Sequence, residues 1–245
     1  MKIDFKTHIG LIRDSNQDAC DAGFFPSGDA WMVVCDGMGG VSGGQIASTL
    51  CIEKTVEAIK RGYRKGMTVN NVKNLLNSAI SAANSIVYER SNDDFELKGM
   101  GTTIVAAIII DSIAVIAHVG DSRAYIINDS ITSVTKDHSL VQLLLDTGKI
   151  TPAMAKVHPE RNVITRAIGA VNFVDVEIDI VDLAQDDILL LCTDGLNGYV
   201  EDEDILKIVK ENGFECADKL IEAANNAGGH DNVTVALAVN SEKGA

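Results

Sequence analysis

The feature that most constrains this chain is an apolar run that leads directly into an Asp-Gly pair, and it occurs twice. Met32–Cys35 leads into Asp36, and Leu189–Thr193 leads into Asp194, with glycine next in both cases. A buried strand holds a carboxylate rigidly at its end, and the glycine lets backbone or a ligand approach closely. The sequence therefore predicts buried strands that deliver acidic side chains to a site.

Three more acidic residues occupy similar turns. Asp121 follows the apolar run that ends at Val119, Asp231 precedes the run Thr234–Val239, and Asp18 closes a polar segment. Carboxylates that converge repel one another, and the usual remedy is a divalent cation with oxygen ligands, here Mg²⁺ or Mn²⁺. A single Asp-Gly is typical of an ordinary turn, so that alternative stays open for each one taken alone. The recurrence at strand ends favours a metal centre.

Other classes of protein fit the sequence less well. The chain has 21 basic against 35 acidic residues and a net charge of −14, so we expect no nucleic-acid partner and no binding to anionic membranes. No apolar run reaches the length of a membrane helix, and Met1–Phe5 lacks a signal-peptide core, so we expect a cytoplasmic protein. The five cysteines include no Cys-x-x-Cys pair, which indicates neither a zinc site nor a disulfide framework.

Short runs rich in Val and Ile indicate β-strands, and the short turns between several of them impose antiparallel pairing. The predicted strands are Trp31–Cys35, Thr102–Ile110, Ile113–Val119, Arg123–Ile127, Ile131–Thr135, Phe173–Ile180, Ile188–Thr193 and Thr234–Val239. Helical periodicity predicts helices at about 43–61, 69–90, 202–211 and 215–227, with Thr68 as the N-cap of the second. Because helices come in pairs after runs of strands, we expect an α+β fold with antiparallel sheets, helices packed outside, and one domain over residues 1–245.

Residues 139–169, which we call the flap, interrupt this pattern with short helical pieces and two prolines, Pro152 and Pro159. Long irregular inserts in compact domains are often lids or recognition segments, and we predict such a role here. The alternative is a structural excursion that does not contact substrate.

Eight motifs, taken in order, resemble the metal-dependent type 2C (PPM) protein serine/threonine phosphatases, and the length of the chain is similar to the bacterial branch. The motifs are Arg13–Asp18, Asp36–Gly40, Gly101–Thr103, Val119–Tyr125, Thr135–Ser139, Ile164–Gly169, Thr193–Leu196 and Gly229–Thr234. The resemblance runs from about residue 6 to residue 239. It implies an αββα sandwich, two antiparallel β-sheets flanked by pairs of helices.

The resemblance also implies a binuclear Mn²⁺ or Mg²⁺ centre at one end of the sandwich. By motif, Asp36 would bridge both ions, Gly37 would offer its backbone carbonyl to one, and Asp194 and Asp231 would ligate the other. Asp18 would act through a metal-bound water. A hydroxide that bridges the two ions would then attack phosphorus directly, without a covalent phosphoenzyme.

Two further roles follow from the resemblance. Asp121 would be a ligand of a third, weaker metal ion, shared with Asp194. Arg13 would bind the substrate phosphate as a two-pronged fork, a geometry that lysine cannot reproduce. Without the resemblance, the simpler interpretation of Arg13 is a surface ion pair with Asp14 or Asp18.

One position departs from the pattern of some members of the family. Those proteins have histidine directly after the first Asp-Gly, where it is proposed as the general acid, and this chain has Met38. The acid is therefore a metal-bound water or another group, and His158 in the flap is a candidate. His118 and His138 adjoin strand or turn motifs and are expected to form structural hydrogen bonds.

The leading hypothesis is a cytoplasmic phosphatase that removes phosphate from phosphoserine and phosphothreonine of proteins and opposes a bacterial Ser/Thr kinase. Its expected partners are phosphorylated proteins, including that kinase, and the expected oligomeric state is a monomer. Two alternatives remain. The chain could be a catalytically inactive relative that binds phosphoproteins, or its substrate could be a small metabolite or a single regulator of the anti-sigma type.

Overall fold

A computed structural model describes residues 1–240, apart from the side chain of Val41, and places eleven strands in two antiparallel sheets. The strands are β1 Lys2–His8, β2 Asp18–Phe24, β3 Ala30–Met38, β4 Gly101–Thr102, β5 Ile104–Ile110, β6 Ile113–Val119, β7 Arg123–Ile127, β8 Ile131–Ser133, β9 Glu177–Asp182, β10 Ile188–Cys192 and β11 Val233–Val239. One sheet has the order β1-β11-β10-β7-β8, and the other has the order β2-β3-β5-β6-β9 with β4 paired to β3. The predicted antiparallel pairing is confirmed.

Seven α-helices accompany these strands in the described part of the chain. They are α1 Gly40–Gly62, α2 Val69–Asp93, α3 Leu140–Asp146, α4 Pro152–Lys156, α5 Asp194–Asn197, α6 Asp202–Asn212 and α7 Ala217–Asn226. The hydroxyl of Thr68 accepts a hydrogen bond from the backbone N–H of Asn71, so the predicted N-cap of α2 is confirmed. Short 3₁₀ turns occur at Phe95–Leu97 and Gly213–Cys216.

Four layers result, because each sheet buries one face against the other sheet and the opposite face against a pair of helices. Helices α1 and α2 pack on the sheet that contains β3, and α6 and α7 pack on the sheet that contains β11. Alternation along β3 shows the division. Met32 and Val34 lie between the two sheets, whereas Trp31 and Val33 face α1 and α2. The predicted αββα sandwich is confirmed.

Strands β1 and β2 are the two strands that the sequence pattern did not predict. Strand β2 reads Asp-Ala-Cys-Asp-Ala-Gly-Phe and contains no β-branched residue, so its composition gives no strand signal. Its pairing with β3, from Asp18 opposite Asp36 to Phe24 opposite Ala30, holds it in place. Tertiary pairing therefore overrides weak local propensity, and it places Asp18 directly beside Asp36.

Other boundaries differ by a few residues. The run predicted at Thr102–Ile110 is divided into β4 and β5 at Thr103. There the backbone N–H of Thr103 still donates to the carbonyl of Asp36 on β3 at 2.8 Å, but the N–H of Asp36 donates to the side-chain hydroxyl of Thr103 at 3.0 Å and not to a backbone carbonyl. The strand predicted at Phe173–Ile180 begins later, at Glu177. The helix predicted at 215–227 begins after a 3₁₀ turn, at Ala217.

The flap leaves the sandwich after β8 and returns before β9. It contains α3 and α4, which begin at the side-chain caps Ser139 and Thr151. Its two ends are joined by an antiparallel bridge between Ser139 and Ile164, and its last turn pairs Ile168 with Thr102. No residue of α3 is buried and only Ala155 of α4 is, so the flap is attached at its base and packs loosely beyond it.

Candidate metal centre

Strand ends from both sheets meet around a cavity of about 360 Å³ at one end of the sandwich. Strands β3 and β6 finish there, as does β10, and β11 begins there. Six of the seven residues proposed from sequence for the site line this cavity: Arg13, Asp36, Gly37, Asp121, Asp194 and Asp231. The seventh, Asp18, is buried behind them beside Asp36. The predicted residues are therefore brought together, although they span most of the chain.

Asp36 is fixed by its backbone. Its N–H donates to the hydroxyl of Thr103 at 3.0 Å, and its carbonyl accepts from the N–H of Thr103 and the hydroxyl of Thr102, both at 2.8 Å. Burial raises the pKa of the Asp36 carboxyl well above its usual range, and the nearby charges of Asp18 and Asp194 raise it further. An anionic carboxylate at this position calls for a positive partner.

Gly37 lies where no side chain fits. A Cβ atom on it would stand 2.1 Å from the carbonyl oxygen of Gly44 and 2.6 Å from that of Gln17. Its own N–H donates to the Gln17 carbonyl at 3.1 Å, which ties the end of β3 to the loop before β2. This close packing of three backbone segments explains the glycine in the first Asp-Gly pair.

Asp18 is held by two hydroxyl groups. Its Oδ2 accepts from Thr193 at 2.8 Å and from Thr234 at 2.7 Å, whereas its buried Oδ1 has no partner among the described residues. Burial raises the pKa of Asp18 to about 7, against the lowering effect of the two hydroxyls. The unpartnered oxygen of Asp18 therefore requires a donor or cation that the described residues do not provide.

Asp194 and Asp231 approach from the other sheet. Asp194 is the first residue of α5, and its buried Oδ1 also lacks a partner in the described part of the chain. Burial raises the pKa of Asp194, and the charge of Asp231 adds to that effect. Asp231 accepts a hydrogen bond from Arg13, whose Nη2 lies 2.7 Å from its Oδ2. The ion pair of Arg13 is thus with Asp231, not with Asp14 or Asp18.

Asp121 follows the tight turn at Gly120 that ends β6. Burial raises its pKa to about 8, and the charge of Asp194 is the next contribution. Asp121 lines the first cavity and also a second one of about 600 Å³, which runs between the flap and residues 197–203. Asp194 lines both cavities as well, so the two spaces meet at these carboxylates.

These residues fit a centre of divalent cations. The donors are carboxylate oxygens with a backbone carbonyl available at Gly37, which is the set that Mn²⁺ and Mg²⁺ prefer. Buried oxygens of Asp18 and Asp194 lack partners among the described residues, and burial, followed by nearby like charges, raises the pKa values of Asp36, Asp121 and Asp194. Unpartnered buried oxygens and repulsion between carboxylates are both unfavourable in the protein alone, and a bound cation would relieve both.

The resemblance implies that Asn232 orients the Asp231 turn, but sequence reasoning did not single out the threonine hydroxyls that organise the site. Thr103, Thr193 and Thr234 position Asp36 and Asp18 through their hydroxyls. The amide of Asn232 accepts from the Gln17 N–H at 2.8 Å and donates to the carbonyls of Ile9 and Ser15, so it anchors the loop that carries Arg13. The signal was their adjacency to the acidic motifs.

The histidines are not at the cavity. No histidine is among the described residues that line it, and Met38 occupies the position after the first Asp-Gly. His158 accepts from the N–H of Glu160 within the flap. His118 bonds to the Lys136 carbonyl at 2.9 Å, and His138 to Glu177 at 3.0 Å, as expected for structural hydrogen bonds.

The fold and the cavity together define a class, namely enzymes that hold divalent cations at one end of an αββα sandwich. The protein phosphatase 2C family model matches residues 13–226. The chain is 40% identical to the serine/threonine phosphatase stp of Listeria welshimeri, over 97% of this chain and 95% of that one. It therefore belongs to the protein phosphatase 2C family of metal-dependent serine/threonine phosphatases.

Solved structures agree with this assignment. The serine/threonine phosphatase Stp1 from Staphylococcus aureus superposes with a TM-score of 0.91 at 36% identity, over 97% of this chain and 94% of that one. The catalytic domain of the phosphatase PstP, in complex with two manganese ions, gives a TM-score of 0.85 at 33% identity over 98% of both chains. Among the described residues, no helix combines the length and the apolar character needed to cross a membrane.

Proposed function

We propose that this chain hydrolyses phosphoserine and phosphothreonine in proteins and so opposes a Ser/Thr kinase, which is itself among its phosphorylated partners. The observation that carries the proposal is the convergence of four carboxylates, those of Asp36, Asp121, Asp194 and Asp231, around a cavity that Arg13 also lines. The two manganese ions in the related PstP structure support a centre of two cations.

Each residue has a distinct part in this proposal. Asp36, Asp194 and Asp231 and the carbonyl of Gly37 hold two Mn²⁺ or Mg²⁺ ions, and Asp18 acts through a water molecule. Asp121 joins Asp194 at a third ion. When bound, the cations supply Lewis-acid activation of water and neutralise charge on the phosphoryl group.

Arg13 orients the phosphate. A guanidinium carries five N–H donors, and only Nη2 is engaged by Asp231. The side chain is about half exposed, at 52%. The remaining donors can therefore grip two phosphate oxygens while the ion pair with Asp231 fixes the direction of the fork.

The second cavity supports a protein as substrate. It is larger than the first, and it extends from Asp121 and Asp194 along the flap. A small phosphoester would fill only the carboxylate end, whereas a polypeptide segment that flanks the phosphorylated residue can extend along the rest. Leu143, Met154 and Val157 are exposed apolar side chains of the flap outside the cavity lining, and they are available to the surrounding surface of a protein substrate.

The test is hydrolysis of p-nitrophenyl phosphate and of a phosphothreonine peptide by the purified chain in Mn²⁺. We expect Asp36→Asn and a chelator each to lower kcat/KM for both substrates by about a thousandfold or more, because either change removes cations that activate the attacking water. Asp14→Asn is the matched control. It removes an exposed carboxylate next to Arg13 that does not line the cavity, so it should retain wild-type activity.

Several outcomes would contradict the proposal. Full activity in chelator would exclude the metal mechanism. Tight binding of the phosphopeptide without turnover at saturating Mn²⁺ would favour the inactive relative. A kcat/KM that is higher for phosphorylated metabolites than for every phosphoprotein tested would assign a small-molecule substrate.

A further inference from the structure

A polar cluster outside the cavity consists of His118, His138, Glu177 and Arg166. His118 lies on β6 and His138 lies just before the flap, and both are buried. Their rings stack with centroids 4.6 Å apart and an interplanar angle of 12°. Glu177 is opposite His118 on the neighbouring strand β9. The cluster therefore lies between the sheet and the base of the flap.

The spacing of this cluster could hold a metal ion, since ligand atoms of the two histidines and Glu177 lie within 4.8 Å of one another. The hydrogen bonds oppose that use. The Nδ1 atom of His138 accepts from the fixed backbone N–H of Gly120 at 3.1 Å, so the proton of the neutral ring is on Nε2. That proton points at Glu177, whose Oε2 is 3.0 Å away. A protonated Nε2 is not a metal ligand.

Arg166 adds to the same conclusion. Its Nη1 lies 3.1 Å from Nε2 of His138, and it has the carbonyl of Asp175 as its own acceptor at 3.0 Å. A guanidinium at this distance repels a cation. Burial also lowers the pKa of His138, which favours the neutral ring. The cluster is thus a hydrogen-bonded network.

His138 joins two parts of the molecule through this network. On one side, the backbone N–H of His138 donates to the Gly120 carbonyl at 2.9 Å, and the ring Nδ1 of His138 accepts from the Gly120 N–H. His138 therefore makes two hydrogen bonds to the turn before Asp121. On the other side, its carbonyl accepts from the N–H of Thr165 at 2.7 Å. Thr165 belongs to residues 160–166, the part of the flap that returns to the sandwich, which we call the returning arm.

That returning arm reaches the cavity. Asn162 and Ile164 line the first cavity together with Asp121, and Asn162 lines the second as well. The turn at Gly120 packs closely against Thr103, since a Cβ there would meet that side chain at 2.6 Å, and its φ of +109° also favours glycine. A contact between this turn and the arm therefore fixes where the flap residues stand relative to the carboxylates.

We propose that His138 is a positioning residue that fixes the returning arm of the flap, residues 160–166, against the Asp121 turn through its ring Nδ1. Its effect on turnover rests on the proposed function, and it should be confined to substrates that contact the flap. A protein substrate would then bind less well without the contact. A small phosphoester would be hydrolysed as before.

The test compares two amides that each imitate one ring nitrogen. In His138→Asn the side-chain amide can stand near Nδ1 and keep the bond to Gly120, whereas in His138→Gln it can reach only toward Glu177. We expect His138→Gln to speed amide hydrogen exchange in residues 160–166 about fivefold and to raise KM for a phosphothreonine peptide by a similar factor, as for one lost buried hydrogen bond. His138→Asn should restore both, and kcat/KM for p-nitrophenyl phosphate should stay within about twofold.

Equal exchange in His138→Gln and wild type would overturn the proposal, and so would equal losses for the peptide and p-nitrophenyl phosphate. Nitrogen-15 NMR of the wild-type chain tests it without any variant, should His138→Gln not fold. We expect His138 in the Nε2–H form, and a proton on Nδ1 would exclude the bond from Gly120. Exchange and NMR need no turnover, so a chain without phosphatase activity would refute the proposed function and leave this contact measurable.

Discussion

The carboxylate end of the sandwich and the flap are built in opposite ways. Asp36 lies near the end of β3, whose first six residues are all buried, and its backbone makes three hydrogen bonds to Thr102 and Thr103. Helix α3 of the flap has no buried residue. Groups that must keep sub-ångström geometry therefore stand on the most buried strands, while the segment suited to contact different proteins has little burial to hold it.

This comparison yields an expectation for every variant. A change at the carboxylate end should affect all substrates equally, because all of them present the same phosphate. A change in the flap should affect only substrates that extend beyond the phosphate. Substitutions in the two regions test that separation.

After Asp36, Arg13 gives the largest expected effect. Arg13 is on a loop, but its bond to Asp231 ties it to the carboxylate end. We expect Arg13→Ala to lower kcat/KM about a hundredfold for p-nitrophenyl phosphate and the phosphopeptide alike, as for charge-assisted hydrogen bonds to phosphate. Arg13→Lys should recover only part of this, because an ammonium lacks the fork. A loss confined to the peptide would place Arg13 with the flap.

Thr234 gives the next effect. Its hydroxyl donates to Asp18 and stabilises the charged carboxylate, so Thr234→Val should raise the pKa of Asp18 further and weaken Mn²⁺ binding about tenfold by calorimetry. Thr7→Val is the matched control, since the Thr7 hydroxyl contacts that of Thr234 but not Asp18. Unchanged Mn²⁺ affinity in Thr234→Val would show that Asp18 does not act on the cations.

The site residues and strand β2 show how much of this structure could be predicted from the sequence. Asp36, Asp121 and Asp194 could be identified because they follow strand runs, and the family motifs supplied Arg13. Strand β2 could not be predicted, since all its residues but Phe24 lack a clear strand preference and its ladder depends on pairing with β3. The threonine hydroxyls were missed for a related reason. A contact such as that between Thr234 and Asp18, 216 residues apart, depends on how two sheets meet.

Substitutions in the flap should give the opposite pattern to Arg13→Ala, because they should affect protein substrates and not p-nitrophenyl phosphate. Leu143 and Val157 are 54% and 77% exposed, so replacing both by serine should cost little stability. We expect KM for a phosphoprotein to rise about fivefold, with p-nitrophenyl phosphate unaffected. Val171→Ser, which removes a valine of 52% exposure just beyond the flap, is the matched control. Equal losses for both substrates would make the flap a structural excursion.

A change in ionic strength gives the smallest expected effect. It should distinguish the carboxylate end from the rest of the molecule. Of the −14 net charge, Asp18, Asp36, Asp194 and Asp231 account for four negative charges at the proposed metal centre, which two divalent cations would offset. The other acidic residues act at longer range on the approach of a substrate. Between about 10 and 100 mM salt the Debye length falls from about 30 to about 10 Å, which screens exposed charges far more than buried ones.

We therefore expect kcat/KM for an acidic phosphopeptide to rise about twofold over this range, because repulsion by the acidic surface weakens. The increase should come from KM, with kcat constant, since the reacting groups lie in the buried region. A phosphopeptide flanked by lysines is the control, and its KM should increase instead. A flat or falling profile for the acidic peptide would mean that local positive potential at the cations and Arg13 outweighs the global charge. Recognition would then depend on the carboxylate end as well as the flap.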